Sequence, residues 1–223
     1  PTDGERLRKA AFLPNVHNNL SIVLKELGLL SEAEVHIREA IRLRPRFALA
    51  HNTYGTLLNE RADLQGAQRE LLKAIELDPN DHIPYWNLQS TVSNIEQATE
   101  ILEACLQKSP GFQQGVIALA GLRAFAGDAS HFDMLQNAGF SDDPMMRSIG
   151  WVLSLPRQPE VHFNRWSVFD RATYWSDPRR PFYEFGVWMG DSFRYLMRKH
   201  ERGYGFDTFS GLPEAWRTVP QGT

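Results

Sequence analysis

"HNTYGTLLNERADLQGAQRELLKAIELDP", residues 51–79, is the stretch that decides the fold. Apolar residues recur in it at helical spacing, with Tyr54 on a first amphipathic run and Leu71 on a second. The small residues Gly55 and Ala67 stand where the two helices of a hairpin would cross closely. Pro79 ends the second run, because proline has no N–H to donate and clashes with the preceding turn. The stretch therefore predicts a helical hairpin.

This hairpin pattern repeats along the first two thirds of the chain. Pro45, Pro79 and Pro110 close three stretches of one type, "AIRLRP", "AIELDP" and "CLQKSP", at spacings of 34 and 31 residues. A period of 34 with a terminal proline resembles the tetratricopeptide repeat, abbreviated TPR. The resemblance implies a stack of hairpins over residues 1–140, with copies at 14–47, 48–81 and 82–112 and a degenerate copy at 113–140.

The repeat copies differ at their ends. The third copy is three residues short between its helices, so we expect its hairpin turn or one helix end to be trimmed. The degenerate copy should cap the stack, as terminal repeats usually must. At the start, "GERLRKAAF", residues 4–12, reads as the tail of an earlier repeat helix. Residues 141–160 are expected to form a bridging helix, which starts at Asp143-Pro144, and a linker.

Three polar residues stand one repeat apart along the predicted first helices: Asn19, Thr53 and Asn87. The TPR resemblance implies a concave face that commonly binds extended peptides, and an Asn amide offers a peptide backbone both a donor and an acceptor. The set is therefore a candidate peptide-binding groove for a peptide or protein partner. The alternative, that polar residues are simply tolerated at these positions, stays open.

Other reactive residues of the repeats are better explained by packing. His17 and His51 occupy equivalent repeat positions, 34 residues apart, and no third metal ligand accompanies them. Cys105 stands where the other copies carry Ala40 and Ala74, which predicts a small packing residue and not a nucleophile. We assign no metal site to the chain.

The composition changes after residue 140, and five of the six Trp residues lie from Trp151 onward. "YEFGVWMGDSFRYL", residues 183–196, predicts a short strand, a turn with two glycines, and a helix for which Asp191 or Ser192 would be the cap. "YGFDTFSGLPEAW", residues 204–216, predicts a second strand that ends at Asp207. Strand, glycine turn, helix, strand and acid form the first half of a nucleotide-binding α/β unit.

These two strings together resemble the class I S-adenosylmethionine-dependent methyltransferases of the macrocin O-methyltransferase type. The resemblance covers about residues 160–223 and implies the first part of a Rossmann-like domain at 161–223. By it, Glu184 would face the methionine amino group, Gly186 and Gly190 would form the turn under the cofactor, and Asp207 would hold the ribose. The resemblance assigns two further residues: Ser192 would cap the helix and donate to the carboxylate, and Thr208 would lie beside the adenosine.

The predicted fold class is therefore mainly α, a TPR stack followed by the start of an α/β domain. The methyltransferase fold has about seven strands and only two strand candidates are present, so we expect the domain to continue beyond Thr223. The catalytic residues, and the ligands of a divalent metal that some relatives use, would lie there and are not identified. The alternative, that Glu184 and Asp207 only cap the ends of their strands, stays open.

Two functions follow as expectations. The first is methyl transfer from S-adenosylmethionine to a hydroxyl of a sugar, glycan or small metabolite, with the repeats recognising substrate or partner or forming a homodimer. The second is a non-catalytic scaffold for protein–protein interaction. The formal net charge of −3 argues against nucleic-acid binding, and no apolar run approaches the roughly 20 residues that span a bilayer. The single cysteine fits a reducing compartment, so we expect a cytoplasmic protein.

Overall fold

The computed structural model describes residues 3–187 and 190–207, with side chains from residue 12 onward. It is mainly helical and divides into two compact units, Pro1–Asn164 and Arg165–Thr223. The helices of the first unit are α1 (Asp3–Glu26), α2 (Leu30–Leu43), α3 (Ala48–Glu60), α4 (Leu64–Leu77), α5 (Ile83–Leu88), α6 (Ile95–Lys108), α7 (Gln113–Phe125), α8 (Ser130–Leu135) and α9 (Pro144–Leu153). A 3₁₀ turn follows α5 at Gln89–Thr91, and a π turn follows α8 at Gln136–Phe140.

Helices α1 and α2, and then α3 and α4, form the two most closely packed hairpins. A Cβ atom added to Gly55 would lie 2.6 Å from Leu71 Cγ and 3.2 Å from the carbonyl oxygen of Ala67. This confirms the predicted close crossing of α3 and α4 at a small residue. The buried residues of one continuous core join the two hairpins: Ala33, Ile37, Ala40, Ala50, Tyr54, Leu57, Leu58 and Ala67.

Helix α5 is the trimmed element of the third repeat. It has 6 residues, where its counterpart α3 has 13, and the 3₁₀ turn completes it. The three missing residues are therefore taken from the end of the first helix, one of the two places that the sequence predicted. The second helix of this repeat, α6, is regular and begins at Asn94, whose side-chain oxygen accepts from the backbone N–H of Gln97 at 2.9 Å.

The amino-terminal segment differs from the expectation. Residues 4–12 are not the tail of a separate earlier helix, because α1 runs without a break from Asp3 to Glu26. Pro14, which opens the predicted first repeat, lies inside this helix and is buried. A proline does not always end a helix, and here the first repeat has a longer first helix than the others.

Helix α9, the predicted bridging helix, packs within the first unit. A Cβ atom on Gly121 of α7 would lie 2.8 Å from Ile149 Cδ1 of α9, and Met146 of α9 is 2% exposed. Asp143 caps α9, as predicted, by accepting from the backbone N–H groups of Met145 and Met146. The apolar face of α9 is covered by α7 and α8, so this helix closes the stack, and the first unit extends to Asn164.

The second unit consists of α10 (Arg165–Tyr174), β1 (Phe182–Phe185), α11 (Asp191–Leu196) and β2 (Gly203–Phe206). Strands β1 and β2 pair in parallel, with Tyr183 opposite Tyr204. The predicted order of strand, glycine turn, helix and strand is therefore present. The described residues hold a two-stranded sheet, and a complete Rossmann-like sheet stays a prediction. In the part of the chain that the structure describes, we find no helix with the length and apolar character needed to cross a bilayer.

Candidate functional site

The predicted polar set on the first helices is not one continuous exposed row. Asn19 is exposed, Asn87 is half-buried, and Thr53 is only 4% exposed. The Asn87 amide nitrogen donates to the side-chain oxygen of Asn52 at 2.9 Å. Thr53 is therefore a buried residue of the stack, and the Asn87 amide joins α5 to α3. Of the three predicted residues, Asn19 alone presents an exposed side chain.

A second group of polar contacts ties the third repeat to the second. The Asn59 amide of α3 donates to Ser90 Oγ at 2.7 Å, and Ser90 Oγ donates to the carbonyl oxygen of Asn87 at 2.7 Å. The Asn164 amide donates to the carbonyl oxygen of Ser90 at 2.9 Å. These bonds satisfy backbone and side-chain groups around the shortened α5. The sequence did not predict these bonds, although the Asn52 and Asn87 amides, almost one repeat apart, were a usable signal.

Two aliphatic side chains, Leu49 on α3 and Ile83 on α5, are exposed at equivalent positions one repeat apart. Their exposed fractions are 47% and 37%. Both lie in the first turn of a first helix, and α3 and α5 pack as neighbours. An exposed aliphatic side chain on its own needs no explanation, but two at the same repeat position form a regularly spaced apolar surface along the stack. The 34-residue spacing could have identified this pair.

The equivalent histidines each make a contact inside their own hairpin. His51 lies between Glu70 Oε2, 2.7 Å from Nδ1, and the carbonyl oxygen of Pro45, 3.0 Å from Nε2. Both partners can only accept, so the imidazolium satisfies both, and the hydrogen bond to Glu70 raises the pKa of His51. In the first repeat His17 Nδ1 lies 2.9 Å from His36 Nδ1. Both histidines thus pack within their hairpins, as predicted.

Glu34 is the centre of a polar cluster between the first two repeats. Its carboxylate accepts from the hydroxyl of Tyr54 at 3.1 Å, from Arg38 at 2.7 Å and from Arg61. Burial raises the pKa of Glu34, but the hydrogen bonds from Arg38 and Tyr54 outweigh it and hold the pKa below its ordinary value. Cys105, in the next repeat, is fully buried and donates to the carbonyl oxygen of His82 at 3.4 Å, in line with its predicted packing role.

The predicted cofactor turn lies between β1 and α11. Gly186 has φ of +80° and Gly190 has φ of +75°, both in the left-handed region that side chains disfavour. Glu184, the third residue of β1, accepts a hydrogen bond at Oε1 from the hydroxyl of Ser192. Its second oxygen, Oε2, is buried and has no hydrogen-bond partner among the described residues. The turn thus brings Glu184, both glycines and Ser192 together.

The cap of α11 differs from the prediction. Gly190 occupies the N-cap position, and no side chain there hydrogen-bonds to the helix. Ser192 is the second residue of the helix, and its hydroxyl is engaged by the Glu184 carboxylate across the turn. Ser192 is therefore not the helix cap, because the left-handed glycine has taken that place.

Asp207 directly follows β2. Phe185 pairs with Phe206 in the parallel register, and the N–H of Gly186 donates to the carbonyl oxygen of Phe206 at 2.8 Å. Gly186 and Asp207 therefore leave the sheet at the same edge, as the prediction requires. Thr208 lies outside the described residues.

A cavity of about 640 Å³ lies at the opposite end of β1. Its lining includes Trp175, Phe182 and His200, and His200 Nε2 lies 3.2 Å from the hydroxyl oxygen of Ser176. The His200 Nδ1 atom lies 3.2 Å from the carbonyl oxygen of Arg180, so both ring nitrogens have partners within the unit. The sequence did not predict this cavity, because its residues are spread over α10, the following turn, the start of β1 and the segment from the end of α11 to His200.

The comparisons with known proteins concern the repeats. No protein-family model matches the chain. A TPR repeat-containing protein of Pseudomonas aeruginosa is 35% identical over 84 residues, which cover 38% of this chain and 34% of that relative. A solved structure of a mutant O-GlcNAc transferase from Thermobaculum terrenum aligns with 81% of this chain and 32% of its own, at 14% identity and a TM-score of 0.49.

The curated relative and the stacked hairpins together make the first unit a TPR-like helical repeat. The chain spans about a third of the length of that relative. The comparisons therefore assign no activity to the intact protein.

Proposed function

We propose that the first unit is a protein-interaction scaffold that holds an extended peptide segment along the exposed side of its first helices. The observation that carries the proposal is the pair Leu49 and Ile83, exposed at the same position of adjacent repeats. TPR-like repeats serve most often as binding surfaces for other proteins. Exposed aliphatic residues that recur with the repeat offer such a partner regular contact points.

The spacing of this pair restricts the peptide. Neighbouring packed helices lie roughly 8–10 Å apart, and α3 and α5 are neighbours. A polyproline II segment rises about 3.1 Å per residue with three residues per turn, so its residues i and i+3 lie about 9 Å apart on one face. The partner we propose carries aliphatic side chains at i and i+3. Farther along the first helices, the exposed Asn19 amide nitrogen can donate to the peptide backbone, while its side-chain oxygen accepts from the Asn18 amide at 3.3 Å.

Peptide selection from a displayed random library tests this proposal. The selected peptide should bind the chain, and Leu49→Asp or Ile83→Asp should weaken it about tenfold or more, because each variant places a charge where an apolar contact is needed. Val35→Asp is the matched control, since Val35 is 66% exposed on α2 and should not contribute. Peptides that bind all three variants equally, or a library that yields no binder, would refute the proposal.

We also infer a second candidate function, binding of S-adenosylmethionine by the second unit within the protein that contains this chain. The observation that favours it is the buried Glu184 Oε2 atom, which has no described partner, beside two left-handed glycines. Burying a carboxylate oxygen costs free energy unless a donor hydrogen-bonds to it. The ammonium group of a methionine would be such a donor. The residues present therefore fit the cofactor that the sequence resemblance implies.

Each residue of the turn has a role in this proposal. Ser192 holds the Glu184 carboxylate in place through its hydroxyl, and Gly186 and Gly190 let the backbone pass close to a ligand. Asp207, at the same sheet edge, would accept hydrogen bonds from the two ribose hydroxyls. When bound, S-adenosylmethionine supplies an electrophilic methyl group. Transfer to a hydroxyl of a sugar, glycan or small metabolite, and the use of a divalent metal, stay predictions for the intact protein.

Calorimetric titration of S-adenosylhomocysteine into the intact protein tests this second candidate. Glu184→Gln and Asp207→Asn should each weaken binding about tenfold or more, because a hydrogen bond to a charged group contributes about 1.5–3 kcal/mol. Glu201→Gln is the control, since Glu201 is an exposed carboxylate of the same unit. If the unsubstituted protein does not bind, or if the three variants bind alike, this function is excluded and the scaffold proposal is unaffected.

A further inference from the structure

Four apolar side chains of α1, together with Leu27 directly after the helix, form an exposed row that we call the α1 stripe: Leu13, Val16, Leu20, Val23 and Leu27. Their spacing alternates between three and four residues, which places them on one side of the helix over four turns. The exposed fractions run from 39% for Val16 and Leu20 to 56% for Leu27. Helices α2 and α3 both pack against α1, and the exposure of the stripe shows that neither of them covers it.

The repeats themselves indicate what this surface is for. One repeat later, the positions of Val16, Leu20 and Val23 are occupied on α3 by Ala50, Tyr54 and Leu57, which are 0%, 8% and 0% exposed. On α5 the first two positions are occupied by Pro84 and Leu88, and both are buried. The same register positions are therefore buried on α3 and α5 and exposed on α1.

The difference lies in the preceding helix. Helix α2 packs against α3, and α4 packs against α5, each as the second helix of the preceding hairpin. Helix α2 contributes Ala33, Ile37 and Ala40 to the shared core. A face that is covered by a second helix in the second and third repeats is an interface of the stack, and the α1 stripe is the same interface without its partner.

The chemistry of the stripe specifies its partner more closely. At the α2–α3 interface, Tyr54 donates to Glu34 and also faces the Arg38 guanidinium at 5.5 Å. The equivalent residue of α1 is Leu20, which offers no donor. Arg61, which follows α3 and bonds to Glu34, corresponds to Leu27, which follows α1. A partner helix with Glu at the Glu34 position would find no donor on the stripe and would keep only a guanidinium of its own helix, as Arg38 does here, so an aliphatic residue matches the stripe better.

We propose that the α1 stripe docks the second helix of a further TPR-like hairpin, one with an aliphatic residue at the position equivalent to Glu34. The docked helix packs on α1 in the way that α2 packs on α3. The proposal goes beyond the peptide-binding scaffold, because the α1 position equivalent to Leu49 is Asn15, which is not part of the stripe. The two surfaces can therefore be tested separately.

A peptide of residues 30–43 that carries Glu34→Leu, acetylated and amidated, is a suitable probe. We would titrate it into the full chain and follow the methyl NMR signals of the stripe. Saturable shifts should appear at Val16, Leu20 and Val23. The unchanged 30–43 peptide should bind more weakly, and a peptide with Ile37→Lys and Ile41→Lys should not bind, because its aliphatic face is lost.

Variants of the full chain complete the test. Leu20→Lys should weaken probe binding about tenfold or more, since it leaves an unpaired charge in the interface. Val23→Lys is a second variant at a more exposed site in case the first does not fold, and Val35→Lys on α2 is the control. Shifts that fall outside the stripe, or no shifts at millimolar peptide, would overturn the proposal. Self-association through the stripe that Leu20→Lys abolishes would also overturn it, because a second copy would then be the occupant.

Discussion

The hydroxyl of Tyr54 donates a 3.1 Å hydrogen bond to Glu34, and this bond joins the first helix of one repeat to the second helix of the repeat before it. Tyr54 is 8% exposed, and its ring belongs to the core that the first two hairpins share. The bond therefore couples the two hairpins, and such coupling between neighbouring repeats stabilises the stack.

Tyr54→Phe should destabilise the chain by about 1 kcal/mol, because it removes this hydrogen bond and keeps the ring packing. The Glu34 carboxylate keeps Arg38 and Arg61 as donors, so no buried acceptor is left unpaired. Urea denaturation followed by circular dichroism measures the change. Tyr85→Phe is the matched control, since the Tyr85 hydroxyl makes only a long 3.5 Å contact to Pro79. Equal effects of the two substitutions would contradict the coupling.

Gly55→Ala should destabilise the α3–α4 hairpin by about 1–3 kcal/mol, because overpacking forces neighbouring atoms to move. The added methyl group would lie 2.6 Å from Leu71 Cγ and close to the Ala67 backbone. Gly111→Ala is the control, since nothing lies within 4 Å of its Cβ position and its φ is not in the left-handed region. The midpoint of urea unfolding measures the effect of each substitution. A Gly55→Ala variant with an unchanged midpoint would refute the close crossing.

The ion pair of His51 and Glu70 should make stability depend on pH. Glu70 raises the pKa of His51 above its unfolded value, so the stabilisation is complete below the unfolded pKa and is lost as pH rises through the folded pKa. Glu70→Gln should therefore reduce the free energy of unfolding more at pH 5.5 than at pH 8. Glu39→Gln, which removes a partner of Arg42 on α2, serves as the control. A Glu70→Gln effect that is the same at both pH values would show that His51 does not titrate as described.

Gly186→Ala should destabilise the second unit by about 1–2 kcal/mol through backbone conformation alone, because its φ of +80° is left-handed and nothing lies within 4 Å of its Cβ position. Asn adopts this conformation more readily than Ala, so Gly186→Asn should cost less. Hydrogen exchange of the β1 and β2 amides measures the local effect. If Asn and Ala are equally tolerated, the left-handed turn is not required.

Much of the repeat fold was predictable because its signals are local. Pro79 and the 34-residue spacing indicate where each hairpin ends, and Gly55 marks the close crossing that the structure confirms. The polar row was predicted less well. Thr53 is buried because α3 packs against α1, α2, α4 and α5, and no local pattern specifies those contacts.

The remaining differences arise from contacts between elements. Ser192 was expected to cap α11, but its hydroxyl meets Glu184 across the turn, a contact that no local pattern specifies. The packing of α9 on α7, where Gly121 lets Ile149 approach closely, was also not predicted. The sequence did predict the order of β1, α11 and β2 and the shared sheet edge of Gly186 and Asp207. The cytoplasmic location, the S-adenosylmethionine cofactor and the role of Thr208 stay predictions.

The most direct test of the repeat scaffold is to locate a selected peptide on it by methyl NMR. The Leu49 and Ile83 methyl signals should shift together on titration, with the same saturation curve, and Val35 on α2 should not respond. Saturable shifts that spare Leu49 and Ile83 would contradict the proposed peptide site, because the peptide would then bind the repeats through another surface.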